Sequence, residues 1–231
     1  MRAETEARVK AFRRALRLAR DTPEECGKLA RWYPDVQGFP GGCCELASHF
    51  LAKYLKDHDD TLCPYLLQLD ASETFRKATG STVHGHVIVA LNGDYIDLTL
   101  DQFDEYENYV TDEPIGSDAP VDQLLAGIRR YAEEEGAIRT RDINLSGGEA
   151  LYEWLRNTAN RRAPTTACPC TSVALSSSRP SAGRCSPSCA ACCARQDGDR
   201  TRSYQGRHVS PRCTAICDRR SNAILSDLPY S

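Results

Sequence analysis

Nowhere does this sequence carry an apolar run approaching the length of a membrane span. Its first twenty residues, MRAETEARVKAFRRALRLAR, are charged throughout and lack the apolar centre of a secretory signal. A cytoplasmic protein is therefore expected, with its thiols reduced, and export by a route without a classical signal stays open. No internal repeat is visible. The sharpest absence is local. From residue 163 to 231 there is no Lys, Glu, Phe, Trp or Met.

That absence divides the chain. Residues 163–231 hold nine Arg and four Asp, a net charge of +5, so the formal charge of −3 for all 231 residues leaves −8 for residues 1–162. The same stretch holds eight of the twelve cysteines and no periodic apolar pattern. Such a segment buries too little apolar surface to offset the entropy of ordering it. Residues 1–162 are thus expected to form the domain. For 163–231 the favoured explanation is an out-of-frame C-terminus, since Arg, Ser, Pro, Cys and Ala replace Lys, Glu and Phe as they would in a GC-rich gene read in the wrong frame. Plain disorder comes next. A zinc module built on Cys168, Cys170, Cys189 and Cys192 is ranked last, because the spacings are irregular and His208 stands apart from the cysteines.

Within residues 1–162 the periodicity changes twice. Val9, Phe12, Ala15, Leu16 and Ala19 predict an amphipathic helix over 4–20. Thr22, Pro23 and Glu25 predict a second helix opened by a capping box and ended by Pro34, with DVQGFPGG as a loop. Leu46, Phe50, Leu51, Tyr54 and Leu55 stripe a third helix, which begins at Cys43 and Cys44. PYLLQLDA then reads as a strand. STVHGHVIVALNGDYIDLTLDQF reads as two strands about Asn92-Gly93, the strongest short hairpin signal. PVDQLLAGIRRYAEEEG and SGGEALYEWLRN close the pattern as helices, the second capped by Ser146. Helices, a small antiparallel sheet and helices again predict an α+β domain.

The chemistry is expected where these elements meet. FPGGCCELASHFLAKYL places Cys43 and Cys44 at a helix mouth, where unpaired N–H groups and the positive end of the helix dipole favour a thiolate. With a two-residue Asn92-Gly93 turn, Leu91 faces Asp94, Ile88 faces Asp97 and His86 faces Thr99. His86 and Asp97 then share one face as diagonal neighbours, which gives a base and the group that orients it. A cysteine at the helix mouth would complete a nucleophilic triad.

FPGGCCELAS…LAKYL followed by HGHVIVALNGDYIDLTLDQF resembles bacterial papain-like domains of the papain-like and transglutaminase-like superfamily, over about residues 39–103. Their pattern runs roughly F-P-x-G-x-C-x-x-x-S, then H-x-W…G-x-x-I-D-I-T-x-D-Q-F. The resemblance implies a papain-like α+β fold with a helix-borne cysteine packed on a small antiparallel sheet. It puts the nucleophile at Cys44, the base at His86 and the orienting carboxylate at Asp97. It implies a thiol-dependent hydrolase or acyl transferase acting on peptide or glutamine side-chain amides: a peptidase, deamidase or transglutaminase. Gln37 is the candidate side-chain oxyanion donor, since papain-like enzymes place a glutamine before the nucleophile; the Cys44 backbone N–H is the other. Ile88 stands where that family usually has an aromatic residue.

Duller roles are weighed beside these. Cys43 is read as a packing residue, Cys26 and Cys63 as core thiols, and His84 as a satisfied or solvated histidine. Asp101 and Gln102 are read as strand-end caps, and DQFDEYENYVTDE as a solvated acidic loop. Zinc on His84, His86, Cys43 and Cys44 ranks below the triad, because the spacing is wrong for a structural site. No cofactor or metal is expected. The partner expected is a protein or peptide substrate, with no nucleic acid and no membrane; oligomeric state is left open. The competing class is an inactive papain-like fold serving as a protein-binding module.

Overall fold

A computed structural model of the chain describes residues 1–27, 32–132 and 137–163. The expectations placed on Cys168, Cys170, Cys189, Cys192 and His208 lie outside the described residues.

Helix α1 (Ala3–Asp21) buries Val9, Phe12, Ala15, Leu16 and Ala19, the stripe its spacing predicts. Glu4 and Glu6 in its first turn and Arg20 in its last complement the helix dipole. The expected capping box at Thr22 does not form. The Thr22 hydroxyl turns back and donates to the Leu18 carbonyl at 2.8 Å, satisfying an orphan acceptor at the end of α1. Helix α2 (Pro23–Cys26) is a single turn. Pro34 opens a helix instead of ending one: it lies in the first turn of α3 (Tyr33–Gln37), where a missing N–H costs nothing. Helix α4 (Cys44–His58) follows, with Leu46, Phe50, Leu51, Tyr54 and Leu55 all buried.

Strand β1 (Tyr65–Asp70) leads into α5 (Glu73–Thr79), then β2 (Gly85–Leu91), β3 (Asp94–Asp97) and β4 (Val110–Pro114). Helix α6 (Pro120–Arg130), β5 (Ile138–Arg141) and α7 (Glu149–Arg162) complete the described fold. The strands form one antiparallel sheet in the order β4-β3-β2-β1-β5. This is an α+β architecture with seven α-helices among the described residues. Strand β2 lies at the centre, so its VIVAL run is apolar on both faces. Val87, Val89 and Leu91 join the core with α1, α4 and α7. Ile88 and Ala90 join a second core with Phe75 of α5 and Leu124, Leu125 and Ile128 of α6. Among the described residues no helix is long and apolar enough to cross a membrane.

The hairpin between β2 and β3 has the expected register, with Leu91 opposite Asp94, Ala90 opposite Tyr95 and Val89 opposite Ile96. Asn92 and Gly93 both take positive φ, 54° and 91°, as a type I′ turn requires. Other expectations are corrected. DQFDEYENYVTDE is not all loop, because its end enters β4 and pairs with β3. Ser146 does not cap α7; its hydroxyl bonds the Asn144 side chain while its carbonyl accepts from Trp32 Nε1, and Gly148 holds the cap position. Cys63 is only half-buried, on the connection before β1.

One buried cation ties α1 to the chain leaving β3. Arg13 is 7% exposed, and its guanidinium pairs with Asp101, donates to the Leu98 carbonyl and lies 3.8 Å from the Tyr109 ring centroid. Arg13→Ala leaves the Leu98 carbonyl and a half-buried carboxylate without this partner. It should cost about 3 kcal/mol, read as a lowered urea midpoint with an unchanged slope. A loss within about 0.5 kcal/mol, the range of ordinary surface changes, would show that the clamp does not hold these elements together.

Candidate active site

The loop into α4 is shaped by Gly42, whose φ of 67° is a conformation that side chains resist. Cys43 N–H then reaches the Pro40 carbonyl at 3.4 Å, and Ala47 N–H starts the helical ladder on the Cys43 carbonyl at 2.9 Å. Two adjacent cysteines thus meet different surroundings. Cys43 is fully buried, and its thiol is pushed up to about 12 by that burial, with smaller contributions from Cys44 and Asp35. It is a packing residue. Cys44 is the first residue of α4 and half-exposed. Its N–H belongs to the helix's first turn, where no carbonyl of the helix can accept it.

His86 stands near the start of β2 and Asp97 at the end of β3, and the register brings them together. His86 Nε2 lies 2.5 Å from Asp97 Oδ2, with both side chains at 0% exposure. The other carboxylate oxygen accepts the Thr99 N–H at 2.9 Å and the Thr99 hydroxyl at 3.2 Å. Burial alone would lower the His86 pKa. The Asp97 charge, its hydrogen bond and the Cys44 side chain outweigh it and raise the imidazole to about 10. Cys44 stands close enough to the same ring to help raise its proton affinity. Asp97 occupies Nε2, which leaves Nδ1 as the nitrogen that does not face a carboxylate. The helix carrying Cys44 is held to the strand carrying His86 one turn further on, where the Ser48 hydroxyl donates to the Val87 carbonyl at 2.7 Å.

Two residues given dull roles by the sequence stand in this site. Gln102 lies in a 3₁₀ turn over Leu100–Gln102. Its Oε1 accepts the Gly42 N–H at 3.0 Å, and its Nε2 lies 3.5 Å from His86 Nδ1. Phe103 packs edge-on against the His86 ring, with centroids 5.0 Å apart. It supplies an aromatic contact where Ile88 does not. The signal for both was the DQF that closes the quoted motif. Asp101 faces Arg13, so it clamps α1 and does not cap a strand.

The remaining candidates lie elsewhere. Gln37 is the exposed last residue of α3. His84 is exposed, precedes β2 and meets the Arg76 guanidinium through Nδ1. Cys26 is buried against the Thr22 hydroxyl, with its thiol raised mainly by burial. Among the described residues no group of three or more His, Cys, Asp or Glu side chains is placed to hold a metal ion, so His84, His86, Cys43 and Cys44 do not converge as ligands.

Comparison with known proteins gives relatives without an assigned activity. The chain is 36% identical over 165 residues to the uncharacterized protein YuaU of Escherichia coli K12, covering 70% of this chain and 68% of that protein. The YuaU protein of E. coli strain UTI89 matches with the same identity and coverage. No family model and no solved structure matches.

The His86 shift has a consequence for stability. A group whose pKa is raised by folding stabilises the native state fully below its unfolded value, near 6.5, and loses that contribution as pH rises through about 10. Unfolding free energy should therefore fall more steeply with pH between these limits in the wild type than in His86→Gln. Parallel curves would show that the imidazole gains no proton affinity on folding.

Proposed function

We propose that this chain, which belongs to the same family as E. coli YuaU, is a papain-like or transglutaminase-like thiol enzyme. It would act as a hydrolase or acyl transferase on peptide or glutamine side-chain amides. Supporting this is one observation: the buried His86 ring is fixed by the Asp97 carboxylate at 2.5 Å and lies close enough to Cys44 for the two to interact. A core histidine needs one acceptor for its N–H. This one has a buried carboxylate on Nε2 and stands near the half-exposed thiol at the mouth of a helix.

In this mechanism His86 Nδ1 takes the proton from the Cys44 sulfur, and Asp97 steadies the imidazolium that results. The thiolate attacks the amide carbon. A C–S bond forms as the carbonyl π pair moves onto oxygen. When that intermediate collapses, the C–N bond breaks and His86 delivers its proton to the departing amine. A thioester on Cys44 remains. Water or an amine then attacks it with His86 as base, releasing acid or new amide and restoring the thiol. Cys44 opens helix α4, so a substrate bonded to its sulfur would sit at the positive end of the helix dipole. Cys43 takes no part, because burial holds its thiol protonated.

An activated ester tests this without knowledge of the natural substrate. Incubated with p-nitrophenyl acetate, the full chain should release p-nitrophenolate and carry an acetyl group on the peptide containing Cys44. Cys44→Ala should fold normally and lose this acylation. Asp97→Asn should slow it by as much as roughly 10⁴-fold, because the base remains but its tautomer and orientation are lost. Wild-type protein that is never acylated at Cys44 would overturn the enzyme and favour the inactive binding module.

A further inference from the structure

Gln102 comes from a turn that neither carries the nucleophile nor precedes it in sequence, yet its amide spans the two halves of the site. Its oxygen is fixed by the Gly42 N–H at 3.0 Å, two residues before Cys44. With the oxygen held there, the NH₂ end is directed to the other side, and it lies 3.5 Å from His86 Nδ1. That is the ring nitrogen which takes the Cys44 proton in the mechanism proposed above. A hydrogen bond accepted at the amide oxygen also polarises the amide, which makes its N–H a stronger donor.

Resting on the thiol-enzyme proposal above, we infer that Gln102, and not Gln37, is the side-chain oxyanion donor, acting with the Cys44 backbone N–H. When a carbonyl carbon bonds to the Cys44 sulfur, its oxygen must find donors close to that sulfur. The Cys44 N–H lacks a helical acceptor and lies on the same residue. The Gln102 NH₂ lies beside the nitrogen that serves the sulfur, anchored by backbone instead of a flexible partner. Both donors are in place before charge develops, which is the condition for stabilising a transition state without reorganisation. The anchor has a second support. Asp101, the preceding residue, is clamped by Arg13, so the turn carrying Gln102 is tied to α1 as well as to the glycine loop. Gln37, by contrast, is exposed at the end of α3.

Two reactions of Cys44 separate an oxyanion donor from a structural strut. Acylation by p-nitrophenyl acetate passes through a tetrahedral oxyanion: the C–S bond forms, the π pair moves to oxygen, and collapse expels p-nitrophenolate. Alkylation by iodoacetamide is a direct displacement at carbon, in which iodide leaves and no oxyanion forms. Each rate is read on full-length protein as modification of the Cys44 peptide. Gln102→Leu should slow acylation by about a hundredfold, while alkylation falls far less. Gln102→Glu retains the acceptor for the Gly42 N–H and so the loop, but removes the donor; its acylation should fall to a similar extent. Gln37→Ala should react at the wild-type rate in both. Equal losses in the two reactions, or no loss in either, would overturn the role of Gln102, as would a selective acylation loss in Gln37→Ala. Failure of the wild type itself to acylate would instead overturn the enzyme, so the two failures are distinguished in the first experiment.

Discussion

Between His86 Nε2 and Asp97 Oδ2 lie 2.5 Å and no solvent, and a contact of that kind constrains what surrounds it. A carboxylate taken out of water is costly unless its oxygens are satisfied. Asp97 meets that demand with the imidazole on one oxygen and Thr99 on the other. A hairpin slipped by one residue would turn Asp97 to the opposite face and leave a buried carboxylate without its partner. The type I′ turn at Asn92-Gly93 is therefore more than a connection. It fixes which side chains share a face, and the central position of β2 then seals that face against the second core.

Around this pair the fold ties down elements distant in sequence. Ser48 joins α4 to β2, Gln102 joins the glycine loop to the 3₁₀ turn, and Arg13 joins that turn to α1. Each bond crosses a gap in sequence that loop-closure entropy would otherwise oppose. Together they hold a helix N-terminus and a strand so that one half-exposed sulfur and one sealed imidazole meet. A thiol site needs this combination. The base must be held away from water so that its charge is governed by the protein, while the nucleophile must stay open to a substrate.

Helix α4 and the β2–β3 hairpin were legible because each step there is local and strongly signalled. The stripe from Leu46 to Leu55 fixed α4, Asn92-Gly93 fixed the turn, and strand alternation put His86 with Asp97. Elements whose signals are weak or tertiary were missed. Helix α5 is seven residues long, and β4 and β5 are short strands that pair at or toward the sheet edges, held by partners no window of sequence reveals. Thr22 and Ser146 failed as caps because other acceptors and donors competed for them, the Leu18 carbonyl in one case and Asn144 in the other. Gln102 shows the same limit at the site. Its type and position in DQF were visible, but its bond to Gly42 spans sixty residues and follows only from the fold.

Cys44 and Cys63 are both half-buried, free thiols, and of the two it is Cys44 that contributes to the His86 shift. The most direct measurement of whether that imidazole makes a nucleophile is competition between the two for iodoacetamide at neutral pH, read peptide by peptide in the wild type and in His86→Gln. The expected result is that Cys44 is labelled well ahead of Cys63 and that the advantage disappears with the imidazole. Equal labelling in the wild type, or a Cys44 advantage that survives His86→Gln, would contradict it.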